Sequence, residues 1–157
     1  MEVRPYDTVS GPLLRWAGGK RRLLPEIMHA VPEGFLESRA SYFEPFFGAG
    51  AVGIELIRRR GLAFAKRMRI NDINPDLISL YRTLAASGPT TERFLNRYLE
   101  LIAQHEKLKP CGPQCHGDYR RQCTRNLHFN STRELQYAEY SPDRAAWFLF
   151  LNRTCFN

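Results

Sequence analysis

The spacing of apolar and polar positions along the chain predicts two short strands and four helices. Tyr42-Phe43-Glu44 reads as a strand that runs into a glycine-bearing turn, Pro45-Phe46-Phe47-Gly48-Ala49-Gly50. From Ala51 to Arg60 the period changes to helical: Val52, Leu56 and Ile57 form an apolar face, Arg58, Arg59 and Arg60 suit the carbonyl end, and Gly61 closes it. A second strand is predicted at about Arg67 to Ile73. Asn74 as cap, Pro75 at the first helical position and Asp76 in the first turn then start a helix, with Leu77, Leu80, Tyr81 and Leu84 inward up to Ala86. After Ser87-Gly88-Pro89, a helix from Thr91 to Lys107 places Phe94, Leu95, Tyr98, Leu101 and Ile102 on one side. The segment from Lys109 to Asp143 is mixed, and a last helix starting at Ser141-Pro142 carries Trp147, Phe148, Leu149 and Leu151 inward. Strand, helix, strand, helix predicts an α/β protein built on a right-handed parallel unit.

Composition fits this picture. The chain has 157 residues, 43% hydrophobic and 25% charged, which suits one folded domain and excludes disordered and fibrous classes. Its longest apolar run, Ala145 to Leu151, is too short to cross a bilayer, so no membrane partner is expected. The N-terminus lacks the apolar stretch of a secretory signal, which makes a cytoplasmic home the expectation. A net charge of +7 favours polyanionic partners. Cys111, Cys115, Cys123 and Cys155 all lie in the last third and are expected to be reduced.

The turn after the first strand is where chemistry enters. Glycines let a backbone approach a ligand, and a helix N-terminus presents N–H groups to it. Tight turns of this kind also serve packing alone. Asp72 adds weight, because an acid at the end of the next strand accepts hydrogen bonds from both ribose hydroxyls of an adenosine cofactor. Phosphate is not the expected ligand: the turn has one glycine fewer than the dinucleotide fingerprint, and Phe46 and Phe47 are expected to crowd its mouth. Upstream, Gly18-Gly19-Lys20 lacks the spacing and the following Ser or Thr of a triphosphate loop. A surface turn beside a buried Trp16 is the plainer reading.

Four blocks carry a resemblance. Arg15-Trp16-Ala17-Gly18-Gly19-Lys20, Phe43-Glu44-Pro45-Phe46-Phe47-Gly48-Ala49-Gly50, Asn71-Asp72-Ile73-Asn74-Pro75-Asp76-Leu77-Ile78 and Phe148 to Asn157 resemble, in that order, the Dam-type (D12 class) adenine-specific DNA methyltransferases. The resemblance implies S-adenosylmethionine as cofactor, N6 of a DNA adenine as methyl acceptor, and double-stranded DNA as partner. It implies that Trp16 and Lys20 close over the cofactor, with Lys20 beside the methionine carboxylate. Phe46, Gly48, Ala49 and Gly50 are expected to line the cofactor and Asp72 to hold its ribose. The implied fold is an incomplete Rossmann-like methyltransferase fold with a partial helical DNA-recognition insertion. Residues 1–108 form its cofactor part, 109–143 begin the insertion, and 144–157 lead towards the catalytic half.

The family's Asp-Pro-Pro-Tyr tetrapeptide does not occur among the 157 residues, so no catalytic residue is assigned. Methylation of an amino group whose lone pair is delocalised into the ring needs proton acceptors and an aromatic face. The expectation is therefore an N-terminal portion, inactive alone. The alternatives are a non-catalytic binding remnant, or one chain of a split enzyme completed by a second. For DNA contact the candidates are Arg15, with Arg21 and Arg22, near the cofactor mouth; Arg120, Arg121, Arg125 and Arg133, interleaved with Tyr119, Phe129 and Tyr137; and Phe156 and Asn157. A solvated charge run and core packing of Phe156 are the competing readings. Cys111, Cys115, His116 and Cys123 lack regular zinc-knuckle spacing and are read as incidental loop residues, so no metal is assigned.

Overall fold

The parallel pairing that the alternating strand and helix pattern demands is present in the computed structural model, which describes residues 13–108, 123–135 and 140–154. Helices and a small parallel sheet make a mixed fold that divides into two units, Met1–Ile73 and Asn74–Asn157.

In the first unit a 3-10 turn, Lys20–Leu23, leads into α1 (Leu24–His29). The chain then forms β1 (Tyr42–Glu44), α2 (Ala51–Arg60), α3 (Leu62–Ala65) and β2 (Met68–Ile70). The register pairs Tyr42 with Met68, Phe43 with Arg69 and Glu44 with Ile70. Side chains alternate across a strand, so Tyr42 and Met68 turn inward to the cluster of Val52, Leu56 and Phe64, whereas Phe43 and Arg69 are exposed. The second strand is shorter than expected. Pro45 ends β1 without an N–H for the ladder, yet Asn71 N still donates to Glu44 O at 2.9 Å and Phe47 N to Asn71 O at 2.9 Å. The two chains thus stay locked in step beyond the sheet proper.

The helix α2 ends as its sequence predicts. Its last turn carries Arg58, Arg59 and Arg60, and Gly61 follows at φ 77°. Glu55 accepts from Arg58 and Arg59 at 2.9 and 2.7 Å. The Arg58 hydrogen bond, ahead of Arg59, pulls its carboxyl down to about 2. Two short helices, α1 and α3, were not expected; at six and four residues they are too brief for an apolar period to register. Arg67 stacks over Phe64 at 4.7 Å and donates to Ser38 O and Ala40 O, which fastens the irregular segment before β1.

The second unit holds α4 (Pro75–Ala85), α5 (Pro89–Glu106), α6 (Thr124–Glu134) and α7 (Pro142–Thr154). Asn74 Oδ1 caps α4, accepting from Asp76 N at 2.9 Å and Leu77 N at 3.3 Å, as the sequence predicts. Leu77 and Leu80 are fully buried. Helix α5 starts at Pro89, two residues earlier than expected, because Gly88 takes the cap position at φ 66° and proline suits the first helical residue. Phe94 and Leu101 are buried, whereas Leu95 is exposed.

Helix α7 packs against α4, α5 and α6. The inward face predicted for it needs correction. Leu149 is enclosed as expected, but Phe150, Ala145 and Ala146 are the fully buried residues, while Trp147, Phe148 and Leu151 are half-buried. Three neighbouring helices cover more than one stripe, so consecutive pairs 145–146 and 149–150 are both enclosed. Its first turn is fixed by two ion pairs. Arg144 bonds Asp76 on α4, and Arg93 on α5 grips Asp143 through Nε at 3.1 Å and Nη2 at 2.5 Å. Helix α6 was read as part of a mixed segment. It is mostly polar, and Trp147 Nε1 donates to Thr132 O to tie it to α7.

Candidate functional site

The bend between β1 and α2 is built by backbone. Phe47 is held to Asn71 as described, Gly50 N donates to Phe47 O at 2.9 Å, and Gly48 N donates to Asp72 Oδ2 at 2.8 Å. Gly48 and Gly50 adopt φ of 54° and 72°, where a side chain is strained. The two phenylalanines diverge. Phe46 is 75% exposed at the mouth, but Phe47 is buried, and a Cβ at Gly50 or Gly53 would sit 2.7 Å from its ring. Only one of them therefore crowds the mouth; the other underpins the turn, because both glycines remove the carbon that would collide with it.

Trp16 and Lys20 come to the same bend from the N-terminal segment. A Cβ on Gly48 would lie 3.4 Å from Trp16 Cδ1, so the indole rests against the bare glycine. Lys20 Nζ donates to Phe46 O at 3.2 Å. Trp16, Lys20, Phe46, Gly48 and Asp72, distant in sequence, thus gather around one turn. Ala49 is half-buried beside them and Gly50 is buried at the start of α2.

One residue of this turn was not singled out by sequence reasoning. Glu44 is buried, and its Oε2 accepts from Tyr42 Oη at 3.0 Å and Gly53 N at 3.1 Å. Burial raises its pKa, while Tyr42, the Lys20 charge and the Gly53 N–H each pull the other way. Desolvation, with Glu44 alongside, also pushes the Tyr42 hydroxyl above its ordinary value. Strand alternation was the available signal: Tyr42 and Glu44 share the inward face, which puts a carboxylate where an apolar residue is the norm.

The residues expected to meet DNA are not gathered in this way. Arg15 is exposed in the first unit. Arg125, on α6 in the second, donates Nε to Leu108 O at 3.2 Å. Arg120, Arg121, Phe156 and Asn157 lie outside the described residues, as do Cys111, Cys115 and His116. Cys123 is buried at the cap of α6. Among the described residues no group of three His, Cys, Asp or Glu side chains is placed to hold a metal, and no helix is long and apolar enough to cross a membrane. An open groove of about 370 Å³ lies along α5 beside Asp143. Two ion pairs, Arg93–Asp143 and Arg97–Glu100, lie in its lining, with Glu92 beside them.

Residues 16–157 match the family described as D12 class N6 adenine-specific DNA methyltransferase. Similar curated proteins include the type II methyltransferase M.MjaIII of Methanocaldococcus jannaschii, 31% identical over all of this chain and 47% of its own length. The DNA N-6-adenine-methyltransferase of Escherichia phage P1 is 30% identical over 99% of this chain and 17% of its own. A DNA adenine methylase of Haemophilus influenzae is 31% identical over 93% of this chain and 41% of its own. The chain thus spans less than half the length of these relatives.

Proposed function

The chain belongs to the D12 class N6 adenine-specific DNA methyltransferases, and from that premise we propose that residues 1–157 form the S-adenosylmethionine-binding portion of a DNA adenine N6-methyltransferase with a Rossmann-like core. The observation that carries the reading is the Gly48–Asp72 hydrogen bond, which holds an acid against the glycine turn that follows β1. A carboxylate has about four acceptor sites, enough to grip the loop N–H and a ribose diol together. Gly48 has no Cβ to obstruct the space beside Trp16, and an indole and the exposed Phe46 ring supply aromatic surface for an adenine or a sulfonium. Lys20 brings a cation to the same turn for the methionine carboxylate. These groups fit S-adenosylmethionine in kind: one anion, one cation, aromatic walls and a bare backbone.

When bound, the cofactor supplies a methyl group activated by its sulfonium. The chain's own residues hold and orient it. DNA is the proposed acceptor, with Arg15 and Arg125 among the groups offered to its phosphates. Titration calorimetry of the purified chain with S-adenosylhomocysteine tests the cofactor reading. Saturable binding at one site is expected, with NAD as a non-binding control. Absence of any heat with the folded chain overturns it.

A further inference from the structure

Two nitrogens in the second unit are sealed from solvent with nothing to bond. His105, in the last turn of α5, and His128, on α6, each bury Nδ1 without a hydrogen-bond partner among the described residues. A ring nitrogen buried in this way forfeits the bond it makes with water, which is a cost unless something else occupies it. The two rings stand 5.6 Å apart between centres, and the fully buried Phe150 of α7 meets them edge-on at 5.5 and 5.6 Å. Three helices thus close a triangle of rings, two of which carry an unused nitrogen.

We propose that His105 and His128 bind one divalent transition-metal ion of the zinc type through their Nδ1 atoms, and that this ion clips the end of α5 to α6. A zinc–imidazole bond of about 2.0–2.1 Å sets two rings on one tetrahedral ion about 5 Å apart between centres, close to the separation seen here. Imidazole serves as a ligand only when neutral. Burial lowers the pKa of both rings, so near neutrality each is uncharged and, with its proton on Nε2, offers a lone pair at Nδ1. The neighbouring charges are divided. Arg125 acts against a cation at His105, although its Nε is bonded to Leu108 O; Glu106 and the carbonyl end of α5 act in favour of one. Two protein nitrogens leave the ion's other positions to solvent, which makes this a weaker clip than a closed four-ligand centre. Nothing in the site draws on the cofactor turn.

Zinc chloride titrated into the chelator-treated chain is the test, with His105→Phe and His128→Phe beside it. Both variants keep a ring against Phe150 and lose the nitrogen. Wild type is expected to take up one equivalent of zinc more than either variant, and to gain about 5 °C or more in Tm at saturating zinc where the variants do not. Zinc taken up by thiolates such as Cys111 is common to all three proteins and cancels in the comparison. Equal uptake by wild type and either variant overturns the inference; that is the result if the two rings merely share a water. Should the variants fail to fold, nitrogen-15 spectra of the wild-type histidines decide. Zinc is expected to move the Nδ1 signals of His105 and His128 together; movement confined to His29 and His116, or none, overturns the inference.

Discussion

Gly48 N lies 2.8 Å from Asp72 Oδ2, a bond that spans 24 residues of chain and joins the first glycine of the turn to the residue that follows β2 by two positions. It places Asp72 in two roles. The carboxylate fixes the turn in the left-handed conformation at Gly48, and it is the group proposed to hold a ribose. The roles separate experimentally because only the second needs the full charge and more than one acceptor.

Asp72→Asn keeps an oxygen for the Gly48 N–H. Its affinity for S-adenosylhomocysteine is expected to fall by about 10- to 100-fold, the value of hydrogen bonds to a charged acceptor, with thermal stability close to wild type. Asp72→Ala is expected to lose both affinity and stability. Calorimetry paired with thermal unfolding reads the two effects apart; unchanged affinity in Asp72→Asn refutes the ribose assignment.

The glycines divide differently. Gly50→Ala combines a left-handed backbone with a Cβ 2.7 Å from the Phe47 ring, so a loss of about 2–4 kcal/mol in unfolding free energy is expected. Gly48→Ala meets Trp16 Cδ1 at 3.4 Å, an ordinary contact, and should cost only the backbone strain of about 1–2 kcal/mol. Its main effect is expected on Trp16 fluorescence and on cofactor affinity. Urea titrations of the two variants check the ranking, which fails if Gly48→Ala is the less stable.

Much of this site was legible in the sequence because its parts are local signals. The glycine turn, the acid at the end of the next strand and the Asn74-Pro75 helix start each announce themselves within a few residues, and β1 and α4 begin where their patterns place them. Glu44 was not read as a site residue because its importance comes from burial, which depends on α2 folding back over the strand. Helix α6 escaped for a related reason. Thr124 to Glu134 has little apolar periodicity, and its place is set by contacts from α7, such as Trp147 on Thr132, that no local window contains. The inward face of α7 was misjudged because a helix enclosed on several sides has no single stripe to read.

Phe150 is the common packing surface of the second unit's polar rings. It is fully buried and meets His105 on α5 and His128 on α6 edge-on, at 5.5 and 5.6 Å between ring centres. Phe150→Leu removes both ring contacts and leaves a smaller void than alanine would; a loss of roughly 1–3 kcal/mol is expected, rising to about 3–5 kcal/mol for Phe150→Ala. Chemical denaturation of the three proteins tests this, and a loss below about 1 kcal/mol for Phe150→Ala refutes the packing described.

Those two histidines are expected to make the second unit sensitive to acid. His105 and His128 lie 5.6 Å apart, and each has a buried Nδ1 without a hydrogen-bond partner among the described residues. Burial lowers the pKa of both; for His105, Arg125 and His128 add to the effect and Glu106 opposes it. A histidine depressed in the folded state binds its proton more readily when unfolded, so the unfolded chain carries the greater share of protons in the window between the two values. Stability is therefore complete above the ordinary histidine value of about 6.5 and declines as pH falls below it towards the lowered values. The expected observation is a urea midpoint that drops between about pH 7 and pH 5, and a shallower drop in His128→Phe, which keeps an aromatic ring against Phe150 but cannot be protonated. Carboxylates such as Glu55 do not produce the same profile. Its lowered pKa of about 2 means that its contribution is fully present above its ordinary carboxylate value and is lost only in more acidic solution, as pH falls towards about 2. An identical pH profile for wild type and His128→Phe would assign the acid sensitivity elsewhere.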